Sequence, residues 1–189
     1  MNKDKKIIVG LVGEAGSGKD TVANHIIEKY HAVSFRFADL LREALEIFFG
    51  KGNVSREQLI WLSNGIRGKY GNDVIAKALR KRIDEIPGGI VILNGMRIKE
   101  DIDFVRSFPN SFVVYVTLDQ KSRWERIYGR GEKSDDAMSF EKFQEIEKAE
   151  TEVQIPQIGK KADFTLVNDE TKDILCEKTD EIIKKINDR

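Results

Sequence analysis

The stretch Ile7–Thr21 reads IIVGLVGEAGSGKDT, and it decides how the rest of the chain is interpreted. It begins with an apolar run of strand length, and it leads into a segment of helical period that carries Val22, Ile26 and Ile27. Between the two, residues 13–19 match G-x-x-x-x-G-K, the pattern of a loop that binds phosphate. Because this pattern requires a strand before it and a helix after it, the sequence predicts a strand, a phosphate-binding loop and a helix in that order.

The residues of this loop suit phosphate chemically. Glycines at 13, 16 and 18 remove Cβ atoms, so that successive backbone N–H groups can curl around phosphate oxygens beside the positive end of a helix dipole. Lys19 is predicted to reach the β and γ phosphates of a nucleotide. The predicted donor-binding residues are Gly13, Glu14, Ala15, Gly16, Ser17, Gly18, Lys19, Asp20 and Thr21.

The position after Lys19 departs from the usual pattern, in which Ser or Thr holds Mg²⁺. This chain has Asp20 there, and Thr21 follows. A carboxylate is also a hard oxygen ligand, so Asp20 could bind the ion directly or through water. Alternatively, Thr21 or a water takes that place. The sequence therefore predicts a magnesium site at Asp20 or Thr21.

The overall charge excludes several classes of protein. The chain has 189 residues, and 32 Lys and Arg balance 32 Asp and Glu. This length predicts a single domain over residues 1–189. Zero net charge argues against a polybasic protein that binds nucleic acid or a membrane surface.

No apolar run approaches the roughly 18 residues of a membrane span. A single cysteine, Cys176, permits no intrachain disulfide. A cytoplasmic location is expected.

Apolar runs alternate with segments of helical period, which is typical of a parallel sheet covered on both faces. The predicted strands lie at about 7–12, 33–37, 90–93, 112–118 and 163–167. Further helices are expected at about 99–107, 120–128, 139–153 and 171–187. We therefore expect a three-layer α/β/α fold with a five-stranded parallel sheet.

A helical insertion is predicted between the second and third strands, at about 39–86. Asp39 is a candidate N-cap for its first helix, and Gly50 is predicted to end that helix. Ser55–Gln58 has the form of a capping box that begins a second helix. A third helix runs from about Asp73 until Pro87-Gly88-Gly89 stops it.

A basic segment follows the fourth strand, and it carries arginines at 123, 126 and 130 that share one helix face. The net charge is +3 over residues 121–133 and −5 over residues 135–152. Gly129 and Gly131 flank Arg130 and would free it to swing. The alternative is a solvated basic helix paired with the acidic segment that follows.

At this point the chain resembles the superfamily of P-loop nucleoside and deoxynucleoside monophosphate kinases, which includes the dephospho-CoA kinases. Gly18-Lys19-Asp20-Thr21 is similar to the loop of the deoxynucleotide enzymes, and Asp39-Leu40-Leu41-Arg42 resembles a segment of adenylate kinases whose Arg binds the acceptor phosphate. Lys69–Asp73, followed by Ala76 and Leu79, resembles the acceptor-side helix of the deoxynucleotide enzymes. Asn94-Gly95-Met96-Arg97 is similar to a turn in archaeal relatives, although Asn94 stands where those kinases have an acid. The resemblance implies the strand order 2-3-1-4-5, and it implies that the basic segment forms a mobile lid, over about 121–138, that closes over the ATP phosphates.

The resemblance also implies roles for individual residues. Asp39 falls near the acid that dephospho-CoA kinases use beside the attacking hydroxyl, and Asn168 lies where related kinases contact the donor base. Arginine binds phosphate through two parallel hydrogen bonds. Arg42, Arg67 and Arg97 are therefore the predicted acceptor ligands, since they lie at or near the ligand-binding edge of such a sheet or in the insertion.

The expected activity is transfer of the γ-phosphoryl group of ATP, with Mg²⁺, to a nucleoside or deoxynucleoside monophosphate. Lys19, Asp39, Arg126 and Arg130 are the predicted catalytic residues. One alternative is a dephospho-CoA kinase, in which Asp39 would deprotonate a ribose hydroxyl. An alternative of another class is a regulatory protein that binds ATP and signals by lid closure. The expected partner is a small nucleotide acceptor, and nucleic acid and membrane are not expected.

Overall fold

A computed structural model describes residues 5–130 and 138–189 of the chain. The strands are β1 (Lys6–Val12), β2 (Val33–Arg36), β3 (Gly89–Met96), β4 (Ser111–Thr117) and β5 (Phe164–Val167). The first helices are α1 (Lys19–Tyr30), α2 (Phe37–Phe49), α3 (Arg56–Tyr70), α4 (Val74–Asp84) and α5 (Lys99–Arg106). The later helices are α6 (Gln120–Arg130), α7 (Phe140–Glu147), α8 (Glu150–Val153), α9 (Ile155–Gly159) and α10 (Lys172–Asn187).

The five strands form one parallel sheet in the order β2-β3-β1-β4-β5, which confirms the predicted fold class and strand order. The central strand β1 pairs with β3 on one side and with β4 on the other. After β1 the chain first forms β2 and β3 on one side of this central strand, and it later forms β4 and β5 on the other side. In open α/β sheets, ligands bind at the carboxyl ends of the strands where the strand order reverses in this way.

Alternate residues of β1 enter two different hydrophobic cores, which explains why the strand is apolar throughout. Val9 and Leu11 pack with α1 and α10, whereas Ile8 and Val12 pack with α4, α5 and α9. All four of these side chains are buried. The sheet is thus covered on both faces as the sequence predicts. Among the helices described, none combines the length and the apolar character that a membrane crossing requires.

The insertion between β2 and β3 consists of α2, α3 and α4. The capping box of α3 is confirmed, because the Ser55 hydroxyl accepts from the Gln58 N–H and the Gln58 side chain accepts from the Ser55 N–H at 2.8 Å. The predicted N-cap of α2 is wrong, because Arg36 is the N-cap and Asp39 lies three residues into the helix. Asp39 still stabilises this helix start, since its Oδ2 accepts from the Arg36 N–H at 2.9 Å.

The segment after β4 differs from the prediction in one respect. The single helix expected at about 139–153 is two helices, α7 and α8, and α9 follows after Gln154. The breaks between α7, α8 and α9 allow apolar side chains of both α7 and α9 to be buried, namely Phe143, Ile155 and Ile158. Of the predicted lid at about 121–138, residues 131–137 lie outside the described residues.

A polar cluster joins the two helices that cover one face of the sheet. Asp180 of α10 accepts hydrogen bonds from His25 Nε2 at 2.8 Å, Lys29 Nζ at 2.7 Å and Tyr30 Oη at 2.8 Å, all from α1. Burial alone would raise the pKa of Asp180, but these donors outweigh it and lower the pKa to about 2. The cluster therefore fixes the end of α1, the helix that follows the predicted phosphate-binding loop.

We predict that Asp180→Asn lowers the free energy of unfolding by about 1–2 kcal/mol near neutral pH, because a neutral amide cannot bind all three donors. Asp180 has a lowered pKa in the folded protein, so its contribution is complete above the ordinary value of 3.8 and is lost as the pH falls toward about 2. The difference between wild type and variant in urea unfolding should shrink over that pH range. Glu177→Gln, an exposed change on the same helix, is the control. A difference that does not depend on pH would contradict this assignment.

Candidate functional site

The loop between β1 and α1 has the backbone conformation that its glycines permit. Gly16 and Gly18 adopt φ values of +79° and +93°, in the left-handed region that favours glycine. A Cβ at Gly16 would lie 2.5 Å from the Arg123 carbonyl oxygen, and a Cβ at Gly18 would collide with the Asn168 amide. The loop is therefore packed tightly from behind by residues from α6 and from the end of β5.

Arg123 of α6 is the main support of the loop. Its Nη1 donates to the Ala15 carbonyl oxygen at 3.2 Å, and its Nε donates to the Leu118 carbonyl oxygen at 3.0 Å. The same guanidinium forms a bidentate ion pair with Glu147 of α7. Gln120 Nε2 also donates to Glu147 at 2.8 Å. Arg123 is only 6% exposed, so its charge is held inside the protein by its partners.

This position corrects the interpretation of Arg123 as a lid residue. The spacing of residues 123, 126 and 130 is helical as predicted, but the first of them is buried at the base of α6 and binds the loop instead of solvent. Arg126 is exposed, and its Nη2 donates to the Asn168 carbonyl oxygen at 2.9 Å. Arg130 is the last residue of α6. Its predicted role and the lid itself therefore stay predictions.

Asn168 supports the loop from the end of β5. Its Nδ2 donates to the Ser17 carbonyl oxygen at 2.9 Å, and its N–H donates to the Thr117 carbonyl oxygen at 2.9 Å. The side chain is 6% exposed. These contacts give Asn168 a definite structural role, while the predicted contact with the donor base stays a prediction.

Glu14 is held from β4 by a neutral hydroxyl. Tyr115 Oη donates to Glu14 Oε1, and burial together with this bond raises the pKa of Tyr115 to about 12. The other carboxylate oxygen of Glu14, Oε2, is buried and has no hydrogen-bond partner within the described ranges. Glu14 thus fixes the first turn of the loop to the sheet, and no local sequence pattern indicates a partner 101 residues away.

Three side chains donate hydrogen bonds to Asp20 at the edge of the sheet. Its Oδ1 accepts from Lys19 Nζ at 3.3 Å, Arg36 Nη2 at 3.2 Å and Asn94 Nδ2 at 2.9 Å. Burial opposes ionisation of Asp20, but Lys19, Asn94 and Arg36 together lower its pKa. The pKa of Lys19 is also lowered, first by its own burial, and the positive charges of Arg36 and Arg97 add to this effect. The structure therefore brings a lysine, a carboxylate and two further cations to the carboxyl ends of β1, β2 and β3.

Two side chains of this group, those of Asp20 and Asn94, offer oxygens that fit a magnesium ion. All three donors bind Asp20 Oδ1, and 59% of the Asp20 side chain remains exposed. Asn94 is 3% exposed, and its buried Oδ1 has no hydrogen-bond partner among the residues that the structure describes. Mg²⁺ prefers carboxylate, carbonyl and phosphate oxygens and keeps several waters. Asp20 and Asn94 offer oxygens of this kind, and Thr21 follows Asp20 at the start of α1.

Two of the three predicted acceptor arginines approach one buried carboxylate. Asp101 is 6% exposed, and its Oδ2 accepts from the Arg97 N–H at 2.9 Å. Burial raises the pKa of Asp101, while its hydrogen bonds from the backbone of Arg97 and Ile98 and the charge of Arg67 lower it. The Nε of Arg67 is buried and has no hydrogen-bond partner among the described residues. Arg67 and Arg97 thus both lie near Asp101, beyond the carboxyl end of β3.

Arg97 also has a partner that the sequence did not suggest. Its Nη1 forms an ion pair with Glu152 of α8, whose side chain is 12% exposed. Arg42 is exposed on α2. The predicted acceptor region therefore contains one guanidinium already bound by a carboxylate of this chain.

The fold and the loop define a protein with a P-loop kinase-like α/β/α fold, and solved structures share it. TT1252 from Thermus thermophilus has a TM-score of 0.65 at 21% identity and covers 96% of this chain and 98% of its own. Shikimate kinase from Bacteroides thetaiotaomicron has a TM-score of 0.64 at 14% identity, covering 94% and 98%. Shikimate kinase from Acinetobacter baumannii in complex with shikimate has a TM-score of 0.58 at 16% identity, covering 98% and 95%. These similarities establish the fold.

Sequence relatives give the family. A UPF0200 protein of Sulfurisphaera tokodaii is 31% identical over 179 residues, which is 95% of this chain and 97% of the relative. A UPF0200 protein of Pyrobaculum aerophilum is 30% identical over 168 residues, or 88% and 90%. No protein-family model matches the chain. The chain belongs to the UPF0200 protein family.

We predict that Arg123→Met lowers the free energy of unfolding by about 3–5 kcal/mol, because it leaves the largely enclosed Glu147 carboxylate without an opposing charge, although Gln120 still donates to it. The double variant Arg123→Met/Glu147→Leu should recover much of this loss, because both charges are then absent. Urea unfolding measures both values.

Lys148→Met is the matched control, since Lys148 lies next to Glu147 and forms an exposed ion pair with Glu145. Its stability should be nearly that of the wild type. An Arg123→Met protein as stable as Lys148→Met would contradict the proposed support of the loop.

Proposed function

We propose that this protein is an ATP-dependent phosphotransferase that moves the γ-phosphoryl group of ATP to a small nucleotide-like acceptor. A nucleoside or deoxynucleoside monophosphate is the first candidate acceptor. The proposal rests on one observation above all: Lys19 and Asp20 of the loop lie beside Asn94 at the ends of β1 and β3, with Arg97 following the same strand. Donor-binding and acceptor-binding groups would then meet at the switch point of the sheet.

Donor binding follows from the loop itself. The N–H groups at the start of α1 and the Lys19 ammonium would bind the β and γ phosphates, with Lys19 exchanging Asp20 for phosphate oxygens. A magnesium ion bound with ATP would neutralise charge on the same oxygens, and Asp20, Asn94 and Thr21 are the residues proposed to hold it. Because Arg123 and Asn168 fix the carbonyl groups on the opposite side, the loop would not have to reorganise when ATP binds.

Acceptor binding requires cations and in-line positioning more than covalent help. Arg67, Arg97 and Arg42 are the proposed ligands of an acceptor phosphate. Arg126 lies on α6 close to Asn168, and we propose that it neutralises charge during transfer, together with Arg130. These arginines would supply the positive charge that the three equatorial phosphoryl oxygens require.

The environment of Asp39 favours an acceptor that attacks through a phosphate oxygen. Asp39 Oδ2 is bound by the Arg36 N–H at the start of α2, so the carboxylate already has a structural task. A phosphate oxygen is ionised and needs no general base, whereas an alcohol does. Dephospho-CoA and other alcohol acceptors are therefore alternatives that experiment must separate from the monophosphates.

The direct test is ADP release measured with nucleoside monophosphates, their deoxy forms, dephospho-CoA and shikimate as separate acceptors. We expect at least one monophosphate to stimulate turnover, and we expect Lys19→Ala to reduce that turnover by about 10²–10³-fold, as for the loss of a key charge-stabilising donor. Lys184→Ala, which changes an exposed lysine of α10, is the control. ATP binding without stimulation by any acceptor would contradict the proposal and favour an ATP-binding regulator.

We expect Asp39→Asn to separate the two kinds of acceptor. Turnover with a monophosphate should fall less than about tenfold, whereas transfer to an alcohol should fall by about 10²–10⁴-fold because it loses a general base. Glu43→Gln, one turn further along α2 in an exposed pair with Arg82, is the matched control. A monophosphate kinase that loses nearly all activity in Asp39→Asn would contradict the structural role assigned to this carboxylate.

A further inference from the structure

The ion pair between Arg97 and Glu152 is unusual because its two sides are buried to very different degrees. The Arg97 side chain is 47% exposed, whereas the Glu152 side chain is only 12% exposed. The carboxylate is therefore the enclosed partner, and it reaches a guanidinium that faces solvent. A partly exposed arginine beside a phosphate-binding loop is a ready position for an anion.

The backbone of Arg97 is fixed, so only its side chain can change partner. Asp101 Oδ2 accepts from the N–H groups of Arg97 at 2.9 Å and of Ile98 at 3.3 Å, which holds the turn after β3. Lys19 follows β1 and Arg97 follows β3, and these two strands are paired, so both cations lie at the same edge of the sheet, where the charge of Arg97 lowers the pKa of Lys19. A phosphate group at this edge would be attracted by both.

Glu152 has room to leave its partner. It belongs to α8, a helix of four residues, and it lines a cavity of about 500 Å³ together with Glu14, Arg123 and Glu147. The neighbouring elements are anchored independently, because Glu147 of α7 binds Arg123 and Ile155 of α9 is buried in the core. Movement of Glu152 would thus be local to α8 and would leave the support of the loop intact.

We propose that Glu152 occupies the position on Arg97 that the phosphate group of the acceptor takes, so that the acceptor binds by displacing an internal carboxylate. This inference rests on the proposed phosphotransferase function and adds a regulatory element to its acceptor site. When no acceptor is bound, Glu152 satisfies Arg97 and lowers the affinity of this site for unrelated anions. When the acceptor binds, α8 is released next to the loop that holds the donor.

The charges around this position support competition between Glu152 and an anionic ligand. A phosphate and a carboxylate cannot both occupy the same guanidinium without strong like-charge repulsion. The wild-type protein should therefore bind phosphate more weakly than a variant that lacks the Glu152 charge but keeps its shape. Glu152→Gln is such a variant.

The test is binding of inorganic phosphate, measured by isothermal titration calorimetry at low salt on the full chain. We expect Glu152→Gln to bind phosphate about tenfold more tightly than wild type, since it removes one competing charge at close range. The double variant Arg97→Gln/Glu152→Gln should lose this gain. Glu145→Gln, which removes an exposed carboxylate of α7 that pairs with Lys148, should bind phosphate as the wild type does.

Equal affinity of wild type and Glu152→Gln would overturn the proposal, and so would a gain that persists without Arg97. If Glu152→Gln does not fold, as judged by thermal unfolding, Glu152→Ala replaces it with the same expected direction. The readout needs no phosphoryl transfer. If Glu152→Gln binds phosphate more tightly but no acceptor stimulates turnover, the inference about Glu152 holds and the proposed kinase function fails. If an acceptor stimulates turnover but Glu152→Gln shows no gain in phosphate binding, the kinase function holds and the inference about Glu152 fails.

Discussion

The site depends on a constraint at the loop between β1 and α1: one side of its backbone must stay open to a ligand. Carbonyl groups on the other side then need partners from the protein, since buried polar groups without partners are costly. Arg123 binds the Ala15 carbonyl and Asn168 binds the Ser17 carbonyl. Glu147 in turn balances the Arg123 charge. The loop is therefore maintained by residues that are far from it in sequence and need not touch a ligand.

Charge in this protein is arranged in opposed pairs around the candidate site. Lys19 meets Asp20, Arg123 meets Glu147, and Arg97 meets Glu152. The chain has zero net charge, yet several cations lie together at the candidate site. Carboxylates of the same chain balance part of their charge. The three pairs differ in exposure, and this difference separates their functions. The Arg123–Glu147 pair, whose side chains are 7% and 16% exposed, supports the loop, whereas we propose that Lys19 and Arg97, at 18% and 47%, exchange their partners for phosphate.

The sequence predicted those features of the fold that local patterns determine. The five strands, the burial of the central strands β1 and β3 on both faces and the capping box at Ser55 follow from apolar periodicity and from short-range hydrogen bonding. The edge strands β2 and β5 are mostly not buried, because each has a neighbouring strand on one side only. The strand order came from the family resemblance and is confirmed. The N-cap of α2 was assigned wrongly because Asp39 acts on the N–H of Arg36 three residues earlier, an arrangement that the same local pattern also permits.

The parts of the site that sequence reasoning missed depend on contacts between distant segments. Glu14 and Tyr115 are paired across 101 positions. Helical spacing alone does not show which face of a helix is buried, so it does not show that Arg123 lies inside the protein. Glu152 belongs to no motif, and the local pattern predicts a single helix over about 139–153 around it. The break after α7 that turns it toward Arg97 follows from core packing of Phe143 and Ile155, which no local pattern shows.

A crystal structure of the protein with Mg²⁺ and ADP tests the central claim most directly, because that claim concerns how the loop meets phosphate. We expect the β-phosphate within hydrogen-bond distance of the N–H groups of residues 14–19, with Lys19 moved from Asp20 onto a phosphate oxygen. Arg123 and Asn168 should keep their present contacts with the Ala15 and Ser17 carbonyl groups. Nucleotide bound elsewhere, or a loop that abandons these contacts to bind it, would contradict the account.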